Sequence, residues 1–118
     1  MEHTAVDLAA KLSQFTDHWA PRGVASFNGH DVMVVKVQGA FTWHAHPDTD
    51  DFFLVLSGRL VIHLRDGDVD LGPGELFVVP AGVEHQPEAA EETHLLLIEP
   101  AGTPNTGDPS TAAPRRRI

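Results

Sequence analysis

Apolar residues in this chain come in short runs broken by clusters of turn formers, a pattern that predicts many short strands rather than helices. Val24–Phe27 and Val32–Val37 flank Asn28-Gly29, a two-residue hairpin signal because both turn positions favour positive φ. Further β-type runs are Ala40–Ala45, Phe52–Leu56, Leu60–Leu64, Leu76–Val79 and His94–Ile98. Between them lie Pro47–Asp50, Ser57-Gly58, Asp66-Gly67-Asp68, Gly72-Pro73-Gly74 and Pro80-Ala81-Gly82, each read as a turn. Helical spacing occurs near the start, where Leu8, Leu12 and Phe15 recur behind Thr4, expected to cap, and Asp7. That helix ends by Ala20-Pro21, since the residue before a proline is pushed out of helical geometry. The expectation is one all-β domain, a sandwich or barrel, with a short N-terminal helix. Residues 1–23 form the helix and lead-in and residues 24–99 the barrel. In the extension 100–118, Pro, Thr, Gly and Ala dominate, and the chain is expected to run over the surface or fray.

Composition narrows the chemistry. A chain of 118 residues with 42% hydrophobic content has room for one compact core. There is no cysteine, so disulfides and thiolate ligands are both unavailable, and any metal must be held by nitrogen and oxygen. A net charge of −9 argues against nucleic acid, whose phosphates need a basic face. Arg115-Arg116-Arg117 runs against that balance and is read as a solvated tail. The N-terminal residues lack a basic stretch followed by an apolar run, and no apolar segment reaches the roughly 18 residues of a membrane span. A cytoplasmic protein without a membrane partner is expected.

The candidate chemistry begins at His44-Ala45-His46. Residues two apart in a strand point the same way, so both imidazoles can address one metal ion. Asp51 heads the next apolar strand, on one face with Phe53 and Val55, while Phe52, Leu54 and Leu56 share the other. An unpaired carboxylate at a buried position is costly, and a cation would resolve it; a solvated loop of Asp48, Asp50 and Asp51 is the alternative. Downstream, Pro80-Ala81-Gly82 makes a turn that can aim His85 inward.

These residues resemble the two cupin motifs, G(x)5HxH(x)3–4E(x)6G and G(x)5PxG(x)2H(x)3N. The first runs Gly39, four residues, His44-Ala45-His46, four residues, Asp51, six residues, Gly58. The second runs Gly74, five residues, Pro80-Ala81-Gly82, two residues, His85, three residues, Ala89. Fifteen residues separate Gly58 from Gly74, similar to the shortest spacing in that superfamily. The resemblance implies a jelly-roll β-barrel and a divalent metal held by His44, His46, His85 and, in the glutamate position, Asp51. Asp is shorter than Glu by about 1.5 Å of reach, so Asp51 is expected within direct or one-water reach of the metal, the alternative being a site left open at this position. Ala89 replaces the asparagine of the second motif, and the Gly39–His44 spacing is one residue short. More narrowly, the chain resembles small single-domain bacterial cupins described as mannose-6-phosphate isomerase-like.

Three imidazoles and a carboxylate suit Fe, Mn, Zn, Ni or Cu and leave positions open for water or a chelating substrate. The expectation is a metal-dependent enzyme working on a small oxygenated or polar molecule by isomerase, dioxygenase or lyase chemistry. The alternatives are a non-catalytic module that binds a small ligand or metal, and a metal-free acid–base site on His44 or His46. Thr42, Phe53 and Val55 are the expected pocket residues. His63 and His94 are read as packed or rim histidines, with a pocket acid–base role as the alternative. Arg59 and Arg65 are the cations nearest the site in sequence. Phe41 and Trp43, alternating away from the histidines, are expected on an outer apolar face with Phe52 and Leu54, which predicts a homodimer.

Overall fold

The structure is a computed structural model describing residues 3–118. Its elements in chain order are α1 (Leu8–Leu12), β1 (Arg22–Phe27), β2 (His30–Ala40), β3 (Asp51–Ser57), β4 (Leu60–Leu64), β5 (Gly67–Leu71), β6 (Leu76–Val79), β7 (His85–Pro100) and β8 (Arg116–Arg117). Asp7, rather than Thr4, caps the helix, its carboxylate accepting from the Ala10 amide at 3.1 Å.

The strands form a jelly-roll sheet in the order β5-β4-β7-β2-β1-β8, with β3 joining β7 to β6; the sheet is not closed. Asn28-Gly29 makes the β1–β2 hairpin, both residues at positive φ. The sixteen-residue β7 is the spine of the fold, pairing antiparallel with β2, β3 and β4. It is far longer than the run His94–Ile98, because the Glu-rich stretch 88–92 keeps strand geometry with its carboxylates mostly outward. Strand β5 was hidden for a related reason: Asp68 and Asp70 alternate with Val69 and Leu71 in a segment that reads as a turn. The turn proper is Arg65-Asp66, since Leu64 already pairs with Gly67.

The main core gathers inward residues of every long strand, including Met33, Val35 and Val37 of β2, Phe53 and Val55 of β3, and Leu95 and Leu97 of β7. A smaller cluster lies beneath the helix, where Leu12 and Phe15 cover Val24 and Val34. Strand β2 is therefore buried on both faces, which explains its nearly unbroken apolar run. The β3–β4 turn depends on Gly58, at φ 90°, where a Cβ would collide with the Thr93 side chain and approach its Cα to 3.0 Å.

One expectation fails locally. The run Ala40–Ala45 is not one strand: β2 stops at Ala40, and residues 41–50 form a loop that meets β7 through the Phe41 amide on the Pro87 carbonyl and a bridge from His44 to His85. The C-terminal extension runs over the surface, one of the two courses expected for it. After Pro100 it crosses back to β1, pairs parallel with it as β8, and packs Ile118 against the small cluster.

Candidate metal centre

His44 and His85 are placed side by side by reciprocal backbone hydrogen bonds, 3.0 Å from the His44 amide and 2.9 Å from the His85 amide. The loop carrying His46 is stapled to the turn before His85, with the Gly82 amide donating to the His46 carbonyl at 2.8 Å. The Ala81 amide likewise donates to Asp50 at 2.9 Å. Asp51 is the first residue of β3, and the pleat turns it inward with Phe53. The two motifs thus converge because one loop and one turn are tied together across the mouth of the sheet.

All four side chains are buried, and one ligand atom from each lies within 4.8 Å of the others. Asp51 Oδ2 is 2.9 Å from His85 Nε2, 3.1 Å from His46 Nε2 and 3.8 Å from His44 Nε2. Donors each about 2.1 Å from one ion and at right angles would lie about 3 Å apart, so these separations suit a shared cation. The Nδ1 atoms of His44 and His85 each sit 2.9 Å from a backbone carbonyl, of Thr42 and Val83 respectively. Donation from Nδ1–H to those carbonyls leaves each Nε2 lone pair facing inward, the arrangement a metal-binding imidazole needs. His46 Nε2 is buried without a hydrogen-bond partner, its approach to Asp51 having the wrong geometry for one. A buried orphan nitrogen beside a carboxylate and two further nitrogens fits a cation.

The electrostatics agree. Burial by itself raises the Asp51 carboxyl, but the three histidine rings around it outweigh burial and hold it far below the usual carboxylate range. Burial likewise pushes His46 down, and the Asp51 carboxylate overcomes this and raises it. Asp51 is thus ionised at the centre of the three rings, a carboxylate available to a cation.

A cavity with about 40 Å³ of open space adjoins the ligands, lined by His44, Asp51, Trp19, Phe41, Phe53, Leu95, Leu97 and Glu99 among others. Phe53 thus stands on its wall. Thr42 is exposed, and Val55 is buried in the core outside the lining. Phe41 also departs from the expected outer face, because strand alternation ends at Ala40. It stacks on Trp19 with centroids 4.7 Å apart and meets the His44 ring edge-on at 5.3 Å. Trp43 does lie outside the cavity, beneath the Arg65 guanidinium at 3.8 Å. His63 is held between Asp68 and Glu88, at 2.8 Å from each, and His94 lies near Glu92; neither histidine lines the cavity. Nor do Arg59 and Arg65.

Glu99 was not anticipated, although its signal was legible: it follows Leu95 and Leu97 at a spacing of two, on the same inward face. It is 3% exposed. Burial, with the nearby Asp51 charge, pushes its carboxyl up to about 7 despite Arg115 3.4 Å away.

A jelly-roll sheet with a buried His3–Asp cluster at its mouth defines a small metal-binding β protein. The chain belongs to the cupin family, whose Cupin domain model matches residues 31–99. A cupin-2 domain protein of Shewanella frigidimarina is 45% identical with a TM-score of 0.79, over 80% of this chain and 93% of its own. The Bacillus subtilis protein YdbB is 29% identical over 94 residues, covering 79% of this chain and 83% of its own. A 3-hydroxyanthranilate 3,4-dioxygenase of Xanthomonas euvesicatoria is 31% identical over 85 residues, 69% of this chain but 48% of that protein. The chain therefore spans about half the length of the dioxygenase relatives it matches.

Proposed function

We propose that this cupin is a metal-dependent enzyme acting on a small oxygen-chelating molecule, with dioxygenation of a ring-bearing substrate as its foremost chemistry. The carrying observation is the buried cluster of His44, His46, Asp51 and His85 opening onto an apolar cavity. Similarity to 3-hydroxyanthranilate 3,4-dioxygenases supports oxygen chemistry among the reactions such a site can run. Imidazole and carboxylate donors suit Fe or Mn first, then Zn, Ni or Cu. When bound, such an ion polarises a substrate oxygen and can activate O₂.

The protein's own contribution is placement and exclusion. His44 and His85 are fixed in ring orientation by their carbonyl partners, and Asp51 supplies negative charge that offsets the cation. Phe41, Phe53 and Trp19 surround the approach with aromatic surface and keep bulk water away. Isomerase and lyase chemistry use the same polarised oxygen and are tested alongside. The test is oxygen consumption by the iron-loaded protein with catechols, 3-hydroxyanthranilate, thiols and hydroxy acids. Uptake with one class and its loss in His85→Ala support the reading; no consumption or product from any class overturns it. The confinement of the cavity favours the second reading, a non-catalytic module that binds a small ligand.

We also infer a homodimer in the cytoplasm. Among the described residues no helix is long and apolar enough to cross a membrane. Leu76 and Val78 are exposed on β6 beside Phe52 and Leu54 of β3, an apolar outer face that a second copy can cover. Light scattering should give twice 12.8 kDa at micromolar concentration; a monomer mass contradicts the inference.

A further inference from the structure

The open space beside the metal ligands is about 40 Å³. A dry cavity that binds benzene measures about 150 Å³. A ring-sized ligand therefore enters only if a wall moves, and the walls differ in how they are held. Val35, Phe53, Leu95 and Leu97 sit in paired strands of the main core. Trp19 and Asn105 lie in irregular chain, but Trp19 is anchored to β2, its amide donating to the Lys36 carbonyl and its indole Nε1 to the Gln38 carbonyl, each at 2.9 Å, so Asn105 is the wall that can move.

Those two are tied together. Asn105 Nδ2 donates to the Trp19 carbonyl at 3.4 Å, and Asn105 Oδ1 accepts from the Ala113 amide at 3.0 Å. Trp19 holds φ 61°, a left-handed conformation that is strained for a non-glycine residue and needs its surroundings to persist. The segment carrying Asn105 starts with the Ala101 amide on the Gly29 carbonyl at 3.1 Å and is held further along by side chains, Arg117 reaching Ser26 Oγ at 3.0 Å. Arg115 reaches Asp31 at 2.9 Å and Glu99 at 3.4 Å and donates to the Thr103 carbonyl. Beyond it, β8 contributes two residues to a parallel ladder, closed by the Ile118 amide on the Gly23 carbonyl at 2.9 Å. Gly107 lies against the Ala45 carbonyl, between the two metal-binding histidines of the first motif, where no side chain would fit. Few backbone bonds secure a segment that covers the site, the condition for local opening well below global unfolding.

We propose that residues 101–118 form a strap over the metal cavity, latched by Arg115 and ending on Trp19 through Asn105. It admits ring-sized ligands only when it lifts. Ligands of two or three atoms pass with it closed. The proposal rests on the reading that the cavity receives the substrate.

The absence of cysteine allows a clean test. Gly23 and Arg117 are register partners, and a Cβ on Gly23 would face the Arg117 side chain at 3.2 Å. Gly23→Cys with Arg117→Cys should form a disulfide across the β1–β8 pair, locked when oxidised and free when reduced. Arg115→Gln releases the latch instead. Amide exchange at Ala113, which donates to Asn105, and at Ile118, which donates to Gly23, should speed up about tenfold in Arg115→Gln and slow about tenfold in the oxidised pair. In the cobalt-loaded protein, 4-nitrocatechol association should change in the same directions by at least fivefold, while azide association stays within twofold. Unchanged exchange overturns the strap. Changed exchange with 4-nitrocatechol and azide responding alike overturns its gating role. Failure of 4-nitrocatechol to bind the cobalt-loaded Arg115→Gln protein overturns the ring-ligand reading beneath it. If Arg115→Gln does not fold, the oxidised and reduced forms of the cysteine pair decide alone.

Discussion

Replacing Glu99 by Gln should stabilise the metal-free protein, and only above mildly acidic pH. Glu99 is buried on the cavity wall, and burial with the Asp51 charge raises its carboxyl from an ordinary 4.5 to about 7. The folded state therefore holds a proton that the unfolded state has released. At about 1.4 kcal/mol per tenfold change in binding, that difference costs the wild type about 3 kcal/mol once the pH exceeds 7. Below 4.5 both states are protonated and the cost vanishes; between 4.5 and about 7 it grows with pH. Gln keeps the shape and an acceptor for Arg115 but has nothing to ionise. Urea unfolding of chelator-treated protein at pH 5 and pH 8 should show Glu99→Gln gaining about 2–3 kcal/mol on the wild type at the higher pH and less than about 1 at the lower. Equal destabilisation at both would refute the argument, since it would mean that Glu99 is ionised and worth more as a partner of Arg115 than it costs to bury. Metal loading should narrow the gain, because a cation beside Asp51 removes part of the field that keeps Glu99 protonated.

Adding metal at a hundred times its dissociation constant should stabilise the wild type by about 2.7 kcal/mol, read as a rise in Tm. His85→Ala, which removes the one ligand from the second motif, should weaken metal affinity at least about tenfold and abolish that rise; retained metal content would remove the site. Gly58→Ala should destabilise by at least about 2 kcal/mol in chemical denaturation, because φ 90° strains any side chain and the new Cβ strikes Thr93; a neutral result would mean the β3–β4 turn yields. Phe53→Leu should cost about 1–1.5 kcal/mol by thermal melting and shift ligand preference without changing metal content. Lost stability with unaltered ligand preference would make Phe53 a core residue alone.

Local periodicity and spacing made much of this molecule legible from residue order. The Asn28-Gly29 hairpin, the inward face of Asp51, Phe53 and Val55, and the registration of His44, His46, Asp51 and His85 with two glycine-bounded motifs are properties of neighbouring residues. A turn or strand face is decided within a few residues, so it survives without knowledge of the rest. What the tertiary structure alone decided depends on residues far apart in the chain. The His44–His85 bridge ends the strand character of residues 41–50 and turns Phe41 into the cavity. Glu99 becomes a wall of the site because β7 runs from His85 to Pro100 beneath it, and Trp19 because its amide and indole donate to the Lys36 and Gln38 carbonyls of β2 and its ring stacks on Phe41. The C-terminal arginines looked like a solvated tail by composition. Arg115 instead meets Asp31 and Glu99, two carboxylates brought together by the pairing of β2 with β7. Charge without a partner nearby along the chain is claimed in space by residues more than a dozen positions away, and no local pattern records that.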